Sequence, residues 1–275
     1  MNKGKSAAES CRRRGGPGYR LRVTSPLHGD HRPVVTVIQS SPDVPLDRFG
    51  EWLGDVQVRI VAAFAGESVP APDQVGDGLV VLGGHMSAYD DDTAPWLPEV
   101  RALLAATSVD GVPTLGICLG AQLLAAARGG RVQVAAPPGR EAGVIDVRWR
   151  PEATGDPVVG AVVDLADDRR RTPQPSMHAD AVVDLPRGAV WFASSAMYPY
   201  QAFRIGSAWG VQFHPEAGAQ TLRGWAEGHD EVDTDAVLTA YRAREAEVEA
   251  VGRALAESFV AHVRATAAAS EALSV

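Results

Sequence analysis

Two short stretches of this chain carry residues able to do covalent chemistry. The first is Gly116-Ile117-Cys118-Leu119-Gly120, a cysteine with glycine two positions away on each side. The second is His214-Pro215-Glu216, an imidazole and a carboxylate two residues apart. A cysteine nucleophile needs a base to take its proton and a carboxylate to orient that base. The two glycines permit a strained strand-to-helix turn that pushes the middle side chain out above a sheet, the thiol counterpart of the G-x-S-x-G elbow. A thiol at the start of the following helix also meets a dipole and free N–H groups that favour thiolate. Two residues apart on an extended segment, His214 and Glu216 can point to the same side. The carboxylate can then hold one ring nitrogen while the other faces the thiol.

The surrounding sequence supplies elements that would position these groups. Residues 113–117 read as a short apolar strand and residues 121–128 as an alanine- and leucine-rich helix closed by Gly129-Gly130. Upstream, residues 34–38 (VVTVI), 56–61 and 79–82 (LVVL) read as strands. Apolar residues at helical spacing predict a short helix around Leu46–Leu53 and another over 96–106. Strand, helix, strand, helix in this order predicts an α/β fold with a central, mostly parallel sheet flanked by helices. The site of such a sheet lies at the carboxyl ends of its strands, where Gly83-Gly84 and Cys118 both fall. After Gly130 the runs 144–149, 158–165, 181–185 and 189–193 read as short strands of a small antiparallel section. Residues 210–213 form a last strand leading into His214, and 232–268 read as one long helix or two packed ones.

Composition limits the remaining possibilities. The chain has 275 residues, 45% hydrophobic and 22% charged, enough to bury a full core. Its net charge of −8 argues against nucleic acid as a partner. Residues 1–32 carry about +6, which leaves about −14 for the rest. They read as a disordered basic tail without the apolar stretch of a secretory signal. No run is long enough to cross a membrane. Two cysteines, Cys11 and Cys118, exclude a disulfide framework and fit a reducing cytoplasm. There is no P-loop signature. The expected organisation is a basic tail (1–32), a catalytic domain (33–228) and a C-terminal helical extension (229–275).

Seven histidines offer alternatives to His214. His28 and His31 lie in or beside the tail, His229 sits in a polar turn, and His262 falls on the C-terminal helix, so these read as surface residues. His85 with Asp90, Asp91 and Asp92 has no spacing that matches a metal site, and no metal or cofactor is expected. His178 reads as structural or as lining a substrate site. The run Asp167-Asp168-Arg169-Arg170-Arg171 reads as an exposed charged turn.

Taken together, GICLGAQLLA, the VLGG loop before it and VQFHPE after it resemble class I glutamine amidotransferases of the triad type. The nearer resemblance is to stand-alone domains similar to the glutaminase part of GMP synthase, carried also by LGGHMSAYDD and MHADAVVDLPRGAVWFASS. It runs from about residue 34 to 228 and implies a flavodoxin-like sheet. It implies that Cys118 attacks the side-chain amide of glutamine, that His214 is base and then acid, and that Glu216 orients it. Backbone N–H groups of Gly84 and Leu119 would hold the oxyanion, Gln122 would contact glutamine, and Gly83 would let substrate approach the backbone. His85 departs from the resemblance, standing where relatives commonly have proline, and Ala179 stands where they often have glycine or serine.

The function this implies is a glutaminase that supplies ammonia to an unidentified acceptor, with a separate synthetase or ligase chain as partner. A γ-glutamyl amide or peptide hydrolase would use the same triad. A non-catalytic regulatory module of the same fold would not need all three of Cys118, His214 and Glu216.

Overall fold

A computed structural model of the chain describes residues 32–273. Its first half alternates strands and helices: β1 (Val34–Gln39), α1 (Phe49–Trp52), β2 (Gln57–Ala62), β3 (Gly78–Val81), α2 (Leu97–Asp110), β4 (Thr114–Ile117) and α3 (Leu119–Ala127). The middle is built mainly of strands: β5 (Arg131–Gln133), β6 (Glu141–Trp149), β7 (Arg171–His178), β8 (Ala181–Asp184), β9 (Val190–Ser194), β10 (Ala202–Ile205) and β11 (Ala208–Val211), with α4 (Gly160–Asp164) between β6 and β7. Three helices close the chain, α5 (Ala219–Glu227), α6 (Thr234–Ala243) and α7 (Glu245–Leu273).

Nine strands form one sheet in the order β2-β1-β3-β4-β11-β10-β9-β6-β7. The pairs from β2 to β11 are parallel, and those from β11 to β7 are antiparallel. A separate antiparallel pair joins β5 and β8. The central strands β3, β4 and β11 have every residue buried, as expected of strands covered on both faces. On one face, Val251, Leu255, Phe259 and Val263 of α7 join Val35, Leu115, Ile117 and Trp209. On the other, Leu97, Val100, Leu103 and Leu104 of α2 and Leu123 and Leu124 of α3 join Ile38, Leu79 and Val81.

The register brings three loops together. Val81 of β3 is opposite Gly116 of β4, and Val211 of β11 is opposite Ile117. Gly83-Gly84, Cys118 and His214 therefore leave three neighbouring strands at the same carboxyl edge.

Several expectations change. Residues 158–165, read as a strand, hold helix α4. Val158, Val159, Val162 and Val163 are buried, as is Gly160, at the spacing of one helical face and not of alternation. Asp156 starts this segment by accepting from the Val158 and Val159 N–H groups at 2.9 and 3.1 Å. Arg171, assigned to an exposed turn, begins the eight-residue strand β7. That strand contains Pro173 and Pro175, which argue against a strand interior, and it is tolerated because β7 is the sheet's edge. Residues 232–268, expected as one long helix or two, hold two, α6 and α7, as the second alternative had it. His262 is half-buried, its ring edge-on to Trp209 with centroids 5.1 Å apart. Residues 1–31, with Cys11, His28 and His31, lie outside the described residues.

Candidate active site

Cys118 follows β4 directly and caps α3 with φ 50° and ψ −105°. A positive φ at a residue with a side chain is strained by roughly 1–3 kcal/mol, so its surroundings must impose it. They do so through the Cys118 N–H, which donates to the Val211 carbonyl at 2.8 Å, and the Cys118 carbonyl, which accepts from Gln122 N at 3.0 Å. The two glycines permit close packing around the turn. A Cβ on Gly120 would lie 2.1 Å from the Val81 carbonyl oxygen, and one on Gly116 would lie 2.6 Å from the Gly120 backbone. Leu119 is the first helical residue, so its N–H has no partner within the helix.

The His-Pro-Glu segment is fixed from both sides. His214 N donates to Pro175 O on β7 at 2.8 Å, Arg48 N donates to Glu216 O at 3.3 Å, and Gly218 N donates to Asp47 Oδ2 at 2.7 Å. His214 Nδ1 and Glu216 Oε1 lie 2.7 Å apart, and Glu216 is fully buried. The His214 ring packs on Trp225, centroid to centroid 4.3 Å. Burial alone would push the imidazole pKa down. The Glu216 carboxylate and the interaction with Cys118 outweigh burial and raise it from 6.5 to about 10.

Cys118, His214, Gly84 and Gln122 line one cavity of about 180 Å³. Met177, His178, Ala179 and Asp180 line it from the end of β7, with Val44, Met86 and Trp225 on other sides. The Cβ space of Gly83 is filled by His214, whose Cε1 would lie 2.9 Å from an added methyl. Gln122 is buried, donating from Nε2 to Asp180 O at 3.0 Å and to Gln212 Oε1 at 3.2 Å. Gln212 in turn points Nε2 at Cys118 Sγ, 3.6 Å away.

The predicted residues thus meet at one sheet edge. His229, expected on the surface, is half-buried at the cavity's rim, where burial and nearby Arg140 push its pKa down. His85 lines the same cavity, with Nε2 3.7 Å from Asp43 Oδ2. Asp90 and Asp91 are engaged elsewhere, Asp90 Oδ2 accepting from Ser87 N at 2.7 Å and Asp91 pairing with Arg101 at 2.6 Å. Sequence reasoning missed Gln212, Arg140, Glu141 and Trp225. Gln212 lies inside the VQFHPE segment, which gave a signal; a buried glutamate at 141 and a cavity-facing Trp225 follow only from long-range pairing.

A sequence profile of the family described as glutamine amidotransferase class-I matches residues 53–224. The chain belongs to the class-I glutamine amidotransferase family. This amidotransferase is 37% identical over 154 residues to a glutamine-hydrolysing GMP synthase of Thiobacillus denitrificans, covering 54% of the chain and 26% of that relative. It is 32% identical over 157 residues to a GMP synthase of the same description from Streptococcus pneumoniae, covering 54% and 27%. The chain thus spans about a quarter of the length of these relatives. Among solved structures, a glutamine amidotransferase from Thermotoga maritima superimposes with a TM-score of 0.73 at 27% identity, over 84% of this chain and 99% of that one. Another from Methylobacillus flagellatus gives 0.72 at 25% identity, over 84% and 95%.

Proposed function

We propose that this amidotransferase hydrolyses the side-chain amide of glutamine through Cys118, His214 and Glu216, and that the ammonia passes to an acceptor on a separate synthetase chain. The observation that carries this reading is the His214–Glu216 pair, 2.7 Å apart and buried, facing Cys118 at the floor of a small cavity. Cys118 enters as thiolate beside the His214 imidazolium and attacks the amide carbon. The oxyanion of the tetrahedral intermediate takes N–H bonds from Gly84 and Leu119, donors that typically matter by ~10²–10³ in rate. His214 gives its proton to the departing nitrogen, ammonia leaves, and a γ-glutamyl thioester remains on Cys118. Water then attacks that thioester with His214 as base, releasing glutamate and restoring the thiolate. Gln122 flanks the amide end of the substrate; Gly83, expected to let substrate approach the backbone, instead makes room for the His214 ring and does not line the cavity. The GMP synthase relatives carry the suggestion of a synthetase partner, and the two cysteines fit a cytoplasmic setting.

A second reading is hydrolysis of γ-glutamyl amides or peptides. One observation favours it: the cavity adjoins a groove of about 710 Å³ that shares His85, Trp225 and His229, room for a substituent on the leaving nitrogen.

Incubating the protein with glutamine and with γ-glutamyl amines, with and without candidate synthetases, and measuring glutamate and ammonia tests both. The proposal expects glutamate from glutamine, reduced on the order of 10³-fold or more in Cys118→Ser. Glutamate release only from substituted γ-glutamyl amines supports the second reading, and equal activity of Cys118→Ser overturns both.

A further inference from the structure

A second buried histidine–carboxylate pair lies beside the first, and the proposed mechanism gives it no role. Glu141 at the start of β6 stands opposite His178 at the end of β7, with Glu141 Oε2 3.2 Å from His178 Nε2. Both side chains are almost wholly buried, at 3% and 2% exposure. A buried carboxylate is unfavourable without donors, and Glu141 has several. Ser195 Oγ donates to Oε1 at 2.6 Å, and Gln201 Nε2 donates to Oε2 at 2.6 Å. Ser195 Oγ also accepts from the N–H groups of Met197 and Tyr198, and the Tyr198 ring packs on His178 at 4.9 Å. One carboxylate therefore ties together the start of β6, the end of β7 and the 195–201 loop.

The other ring nitrogen leads back to the thiol. His178 Nδ1 faces the Asp180 carbonyl at 2.9 Å, and because a carbonyl only accepts, this nitrogen carries a proton. The same carbonyl accepts from Gln122 Nε2 at 3.0 Å; Gln122 also donates to Gln212, and Gln212 points at Cys118 Sγ. His178, Ala179 and Asp180 form the cavity wall beside Cys118. We infer that Glu141 is a positioning residue, acting through His178 to hold this wall and the Gln122 amide where a glutamine side chain is gripped. This rests on the glutaminase reading of the Cys118 cavity. A residue that only supported the fold would not influence glutamine-shaped reagents selectively.

The test compares two alkylating reagents on Cys118 in wild-type protein and Glu141→Leu. 6-Diazo-5-oxo-L-norleucine carries the glutamine skeleton and needs the wall, whereas iodoacetamide is too small to need it. The inference expects the half-saturating concentration of the diazo ketone to rise on the order of tenfold in Glu141→Leu, with the iodoacetamide rate within about twofold. Glu141→Gln should restore most of the affinity, because Gln201 Oε1, without a partner among the described residues, can turn to accept from the new amide. If Glu141→Leu does not fold, His178→Leu leaves Glu141 its Ser195 and Gln201 donors and should show the same selective rise. An unchanged half-saturating concentration, or equal slowing with both reagents, overturns the inference. If wild-type protein takes iodoacetamide on Cys118 but shows no saturable reaction with the diazo ketone, the glutaminase reading itself falls, and this inference with it.

Discussion

Gly252 of α7 lies against Pro215, so that a Cβ at position 252 would stand 2.3 Å from the Pro215 carbonyl oxygen and 2.6 Å from the Trp52 ring. The residue between His214 and Glu216 is therefore braced by the C-terminal helix. Arg48 strengthens the brace, pairing with Glu245 at 3.3 Å and with Glu249 on α7 while its own N–H holds Glu216 O.

Gly252→Ala should accordingly destabilise the chain by about 1–3 kcal/mol, the usual range for overpacking, although alanine favours helix by roughly 1 kcal/mol. Gly224 in α5 has open space at its Cβ and is the matched control. Gly224→Ala should leave stability equal or slightly higher. Urea unfolding of both variants checks this, and the surviving glutaminase activity of Gly252→Ala should fall with displacement of the His-Pro-Glu segment.

The His214–Glu216 pair gives a pH dependence of defined sign. With the folded-state pKa raised from 6.5 to about 10, native protein retains a proton that unfolded protein releases over that interval. The pair's stabilisation is present in full below about pH 6.5 and lost as pH rises through about 10, by up to ~1.4 kcal/mol per pH unit. Glu216→Gln removes the carboxylate that does most to raise the pKa, leaving burial opposed by Cys118 alone. The stability advantage of wild type over Glu216→Gln should therefore narrow from pH 7 to pH 10 in urea titrations. A constant gap would contradict the assignment.

Gln212 joins Gln122 to the sulfur. Gln212→Leu keeps the volume but removes both bonds, so glutamine turnover should fall about tenfold, in line with loss of a buried polar link worth 1–2 kcal/mol. Far-UV circular dichroism should stay close to wild type, with the unfolding midpoint lowered by no more than a loss of about 1–2 kcal/mol produces. Unchanged turnover would show that this link has no part in catalysis.

The first half of the fold was legible because its signals are local. The β-branched runs in β1 and β3 and the glycine-flanked Cys118 announce strands and a turn within a few residues. Legibility ended where distant partners decide. The two prolines of β7 are acceptable only at an edge, and nothing local tells which strand is the edge. The α4 segment carries valines, good strand formers, but Asp156 and the buried face at 158, 159, 162 and 163 make it helical. In the site, Cys118, His214 and Glu216 stood out by type and spacing. Glu141 did not, because its meaning depends on His178, Ser195 and Gln201, which are 37, 54 and 60 residues away.

We propose Cys118 as the nucleophile of the cavity it lines. The most direct measurement is peptide mapping by mass spectrometry after treatment with 6-diazo-5-oxo-L-norleucine, with and without excess glutamine. A stoichiometric adduct on Cys118, suppressed by glutamine and absent in Cys118→Ser, is the expected result. Labelling elsewhere in the chain, or no adduct where iodoacetamide still reaches Cys118, would contradict it.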